Sequence, residues 1–272
     1  MNELLVSLIG GIGFAIAAIA SYMHLRRQLS WAPVILRIAA VIAIGLNCAY
    51  FTRTAYTQGT TELFRHNFDS TLLLATLVGL VGIGVHLSSA LRGLDGFLFI
   101  VATIIGFSLL SVIHQPSNTF MDRPWFVSHT LAFALSATCF ISSGAAGIAY
   151  LIMHNVLHKK RPTTLVGHVA PLESLERFGR WTLTIGFPLF SYGILTGVCG
   201  VAHTENAERA AWLSDPLVIF SLITWLIYTV MVLCVLLRPQ FRGRRAAMLA
   251  ASGMVIIVVG FLVIDFASTL HR

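Results

Sequence analysis

The sequence predicts an all-α fold: a polytopic membrane helix bundle of about eight transmembrane helices with both termini outside. Three observations carry that prediction. Of the 272 residues, 57% are hydrophobic and 11% charged, with a mean hydropathy of +0.83, whereas a soluble domain carries about 25% charged residues. Apolar stretches long enough to span recur along the whole chain with short loops between them. The basic residues gather in alternate loops. Disorder, a collagen repeat and a disulfide scaffold are all excluded by this composition.

The apolar stretches fall at 4–23, 32–51, 70–91, 96–113, 125–153, 181–203, 215–237 and 246–269. Each must be helical, because hydrocarbon offers no partner to a backbone N–H or C=O. The first has no basic residue before it and Arg26 and Arg27 after it, which reads as an uncleaved span. The fourth, at 18 residues, is the shortest acceptable length. The longest loop, 154–180, contains Pro162, Gly167 and Pro171, then Glu173, Glu176 and Arg177 at helical spacing. It predicts a turn followed by a short interfacial helix that leads into the sixth span. Nothing in the chain forms a separate soluble domain, so residues 1–272 read as one integral membrane domain. Small residues recur at Gly144, Gly147, Gly193 and Gly197, where bundle packing accounts for them. Cys48, Cys139, Cys199 and Cys234 show no CxxC spacing and sit in apolar stretches.

Charge sets the orientation. With Arg37 snorkelling back, the loops after the odd-numbered spans hold 13 basic residues against Asp95, Glu173 and Glu176, a net of +10. The other side holds five basic and eight acidic residues, a net of −3. The basic side is expected to be cytoplasmic. The chain is then a multi-pass protein of a bacterial cytoplasmic (inner) membrane, and its +7 total charge reflects topology, with no nucleic-acid partner.

Ten histidines stand out in so apolar a chain. His24, His154, His158 and His168 fall among basic loop residues. His86 is the deepest, in the third span near its inner end. On the outer side, His129 lies ~6 Å below the start of the fifth span at 1.5 Å per residue, His203 ends the sixth and His271 follows the eighth. Neutral imidazoles from different helices can clamp one haem iron as axial ligands; interfacial histidines bonded to water or carbonyls are the alternative. Asp265 lies six residues before His271, and a carboxylate there either orients a histidine or snorkels to the interface. Trp125 and Trp212, with Asp215 nearby, are either belt residues or a flat platform for a porphyrin. No Walker loop, GxSxG elbow, HExxH or paired carboxylates occur, which points to an assembly or accessory factor rather than an enzyme.

At these residues the chain resembles the cytochrome c assembly family of membrane proteins, the CcsA type with its HemX-type and YpjD-type relatives. The likeness runs best over 121–272; residues 1–120 read as divergent N-terminal helices. It is carried by Trp125-Phe-Val-Ser-His129, by Pro171-Leu-Glu-Ser-Leu-Glu and by Ile185-Gly-Phe-Pro-Leu-Phe-Ser-Tyr-Gly-Ile-Leu-Thr-Gly197. Trp212-Leu-Ser-Asp-Pro216, Ser221-Leu-Ile-Thr-Trp225, Arg242-Gly-Arg-Arg-Ala246 and Leu270-His271 follow in order. The resemblance implies haem as cofactor, with His129 and His271 as outer axial ligands. It also implies a part in cytochrome c assembly, with assembly or haem-synthesis proteins and membrane lipid as partners. Two departures bring it closer to the HemX-type and YpjD-type branches. Ser214 stands where the family's tryptophan-rich segment has another tryptophan, and Leu233-Cys-Val-Leu-Leu-Arg238 lacks the histidine that CcsA-type members carry near the inner end of the penultimate long span. The alternative function that follows is an accessory or regulatory protein acting on a haem-synthesis or transport partner without delivering haem.

Overall fold

The computed structural model describes residues 2–59, 67–111, 113, 124–158, 169–201 and 216–270. Among them are eight α-helices: α1 (Glu3–Arg27), α2 (Ala32–Gln58), α3 (Asn67–Leu87), α4 (Asp95–Ser108), α5 (Pro124–His158), α6 (Leu172–Val201), α7 (Pro216–Leu237) and α8 (Arg244–Leu270). Six of these, α1, α2, α3, α5, α6 and α7, are long and apolar enough to cross a membrane. The chain is therefore a polytopic helical membrane protein.

Local chemistry sets several boundaries. The Asn2 side chain caps α1 by accepting from the Leu4 N–H. The same helix ends where Gln28 turns left-handed at φ 51° and returns its N–H to the His24 carbonyl. The fourth apolar stretch forms a shorter helix than the 96–113 expected. Its α-helical part stops at Ser108, about 21 Å from its start, and a 3-10 turn covers Leu109–Ser111. There the Ser108 and Ser111 hydroxyls donate to the carbonyls of Ile105 and Ser108, competing with the helix ladder.

The separate interfacial helix expected before the sixth span is corrected, while residues 159–168 of the expected turn lie outside the described residues. From Leu172 onward there is one unbroken helix, which carries Pro188 in its interior. Nothing between Arg180 and Trp181 breaks the ladder, and Arg177 pairs with Glu173 one turn earlier at 2.7 Å.

Two groups of helices share one core. In the first, α1 packs on α2 and α4, and α3 on α4 and α2; in the second, α5 packs on α6 and α8. The two groups meet where α3 touches α5. The core runs through both, from Phe14 and Phe99 to Phe140 and Tyr228. Helix α5 is the most buried, because small residues let its neighbours approach. A Cβ added at Gly147 would lie 2.5 Å from the Ala247 carbonyl of α8. On α1, Leu5, Ile9, Ile12, Ile16 and Ile19 form an exposed stripe opposite buried Val6, Phe14 and Ala17. At helical spacing such a stripe is the face a bundle presents to lipid.

Candidate functional site at the start of helix α5

His129 sits near the N-terminal end of α5 and turns its ring against α6. Its Nδ1 lies 2.8 Å from the Gly193 carbonyl oxygen and 3.3 Å from the Thr196 hydroxyl. That hydroxyl also reaches the Gly193 carbonyl, at 2.8 Å. A carbonyl only accepts, so the His129 proton belongs on Nδ1, and in the neutral ring Nε2 carries the lone pair. The ring packs against Phe126 and Phe133, with centroid distances of 5.8 Å and 4.8 Å. From Phe133 the aromatic contact continues edge-on to Phe190 at 5.1 Å and Phe140 at 5.7 Å, and ends on Tyr228 stacked at 3.8 Å. The site therefore rests on a rigid ladder that ties α5, α6 and α7 together.

The glycine pair of α6 makes this placement possible. A Cβ at Gly197 would lie 3.0 Å from His129 Cε1, and one at Gly193 would lie 2.7 Å from the Phe133 ring. Gly197→Leu is expected to push the imidazole off the Gly193 carbonyl and to lower stability by about 1–3 kcal/mol, the usual range for overpacking. Thermal unfolding of the purified variant checks it; an unchanged midpoint would show that the ring has room elsewhere.

Of the other expected site residues, His203, Trp212, Asp215 and His271 lie outside the described residues, as do the side chains of Trp125 and Asp265. Trp125 shares the first turns of α5 with His129, and Asp265 lies in the last turns of α8. Among the described residues no group of three or more His, Cys, Asp or Glu side chains could hold a metal ion.

A second polar cluster sits at the far end of the α1–α4 group. Asp95, counted as a loop charge from the sequence, is buried at the first residue of α4. His86 of α3 places Nδ1 2.9 Å from Asp95 Oδ2, and the Ser21 hydroxyl of α1 donates to the same oxygen at 3.0 Å. The carboxylate thus joins three helices. A Cβ at Gly96 would lie 3.0 Å from Ser21 Oγ, so glycine there lets α1 close on α4. His86 Nε2 is buried with no hydrogen-bond partner among the described residues. The available signal was an acid immediately before a glycine at the head of an apolar run, which pattern alone does not distinguish from a solvated loop.

Fold and site define a polytopic helical membrane protein with one imidazole locked, by tautomer and by packing, near the end of its central helix. A family model described as cytochrome c assembly protein matches residues 64–271. The chain belongs to the cytochrome c assembly protein family. It is similar to the protein named cytochrome c biogenesis protein CcsA in Guillardia theta, 26% identical over 183 residues, 60% of this chain and 60% of that protein. It is also similar to proteins of the same name in Microcystis aeruginosa, at 28% over 136 residues, covering 50% of this chain and 40% of that one, and in a Synechococcus strain, at 36% over 90 residues, covering 33% and 27%. The chain thus matches less than two thirds of the length of each of these relatives. No solved structure matches it.

Proposed function

We propose that the protein handles haem during cytochrome c assembly, holding it at the outer face of a bacterial cytoplasmic membrane between His129 and His271. The observation that carries this reading is the hydrogen bond from His129 Nδ1 to the Gly193 carbonyl. It leaves Nε2, the nitrogen suited to axial ligation, as the basic one, and a partner on the opposite nitrogen is how metal-ligating histidines are generally oriented. The aromatic neighbours Phe126 and Phe133 give the ring an apolar surround that suits a macrocycle. Trp125 and Trp212 would flank the macrocycle, with Asp215 and His203 in the same outer set, and Asp265 would orient His271. Bound haem would supply the iron centre that is passed to an outer partner. The residues of this chain hold and orient it, and no bond chemistry is assigned to them.

Titration of haem into the purified protein tests this. The expected result is a six-coordinate low-spin spectrum that saturates at one haem per chain, and His271→Ala is expected to convert it to a five-coordinate high-spin spectrum. A wild type that develops no Soret band on loading would overturn the assignment. One sequence observation favours a second reading. Ser214 replaces a tryptophan of the resembled family's outer segment, which suits an accessory protein of HemX or YpjD type that acts on a haem-synthesis partner. The same titration separates the two, because that reading expects no saturable haem binding.

A further inference from the structure

A crevice opens between α5, α6 and the connection from α7 to α8, at the end of the bundle opposite His129. It is narrow, with a volume of about 30 Å³, and it opens to its surroundings along one side. Its walls are small and apolar, including Ala146 of α5 and Ala247 of α8, and its polar groups are Tyr150, Glu176, Arg180 and Arg242. The connection that forms its rim carries Arg238, Arg242, Arg244 and Arg245 within eight positions of sequence, and it turns sharply at Gly243, at φ 64°. A Cβ at Gly243 would lie 3.1 Å from the Tyr150 hydroxyl, which places that donor at the rim. Because α7 ends and α8 begins here, the rim marks the level of the membrane surface. Trp181, 61% exposed, stands beside Arg180 at the same level, where membrane proteins concentrate tryptophan. Helices α5 and α6 continue past it.

We propose that this crevice binds the headgroup phosphate of an anionic phospholipid from the surrounding bilayer. Neither Arg180 nor Arg242 has an ion-pair partner among the described residues. Glu176 offsets one of the two positive charges, so the crevice carries a net charge of about one. That matches a singly charged phosphodiester better than a doubly charged free phosphate. The apolar lining on the open side of the crevice faces the glycerol and the first methylenes of an acyl chain lying along it, which a soluble phosphate does not have. Basic pockets between transmembrane helices are a recurrent way to hold such headgroups. The proposal is independent of haem binding.

The test uses the full-length protein in vesicles of phosphatidylcholine with and without phosphatidylglycerol, reading phosphatidylglycerol affinity by native mass spectrometry after extraction. With one charge-assisted contact to the phosphate lost at each position, Arg180→Gln with Arg242→Gln is expected to weaken phosphatidylglycerol binding by at least ~25-fold. Lysine at both positions restores most of it. Ala246→Trp, which fills the crevice with every charge in place, causes a comparable loss. Arg244→Gln with Arg245→Gln makes the same charge change at residues that do not line the crevice; because affinity is read after extraction, where the diffuse field of the membrane surface is gone, this pair is expected to weaken binding less than about fivefold. Equal losses in the two glutamine pairs would overturn the crevice in favour of diffuse surface attraction. Retained binding in Ala246→Trp would overturn it as well. Displacement of the lipid by millimolar inorganic phosphate would assign the site to a free anion instead.

Discussion

His129→Ala is expected to abolish the six-coordinate haem spectrum and to weaken haem binding by at least about 100-fold, beyond the loss typical of removing a supporting residue around a metal. The fold should survive. The Gly193 carbonyl that loses the imidazole N–H keeps the Thr196 hydroxyl at 2.8 Å, so no buried acceptor is orphaned. The remaining cost is the ring's contacts with Phe126 and Phe133, about 1–2 kcal/mol on the scale of one hydrogen bond and partial apolar burial. His129→Gln separates ligation from structure. Its amide can still donate to the Gly193 carbonyl, but it offers iron no imidazole, so it is expected to unfold like the wild type and to lose the spectrum like alanine. A glutamine variant with an unchanged low-spin spectrum would show that His129 is structural, and the haem assignment at this end of the bundle would fail with it.

What the sequence made legible divides along a physical line. Membrane spans were readable because a chain of long, non-alternating apolar stretches can cross lipid only as helices, so the stretches at 4–23, 125–153 and 215–237 appear as α1, α5 and α7, the first two a few residues longer and the third starting one residue later. The side of a helix was less readable. His129 could be placed at a depth from its position after Trp125, but the carbonyl that fixes its tautomer belongs to Gly193, 64 residues away. The Gly193 and Gly197 pair read as packing, and packing it is; what it packs against is the His129 ring and its aromatic neighbour Phe133. The short interfacial helix expected to lead into the sixth span is instead the first part of α6 itself, because a cluster of charges signals an interface without ending a helix. Asp95 is the instructive miss. Its neighbours in sequence suggested a solvated loop, while its neighbours in space, Ser21 and His86, come from helices 74 and nine residues away. One-dimensional pattern carries burial along a helix but not the meeting of three helix ends.

That meeting supports a sharp stability prediction. Asp95→Ala removes the acceptor shared by His86 and Ser21 and leaves two donors buried among α1, α3 and α4. Interhelical hydrogen bonds in membrane proteins are worth roughly 0.6–1.7 kcal/mol each, so the loss of both is expected to destabilise the bundle by about 1–3 kcal/mol. Asp95→Asn keeps an oxygen that can accept from one of the two donors while giving up the carboxylate charge, and is expected to recover about half of that loss. His86→Ala leaves the Ser21 bond in place and should also cost about half. The double variant His86→Ala with Asp95→Ala should then cost no more than Asp95→Ala alone, because the His86 bond is already gone once its acceptor is removed. Thermal unfolding of the four variants in one detergent measures this non-additivity. Strictly additive losses would mean that His86 and Asp95 act separately, and that the joint between the helix ends lies elsewhere.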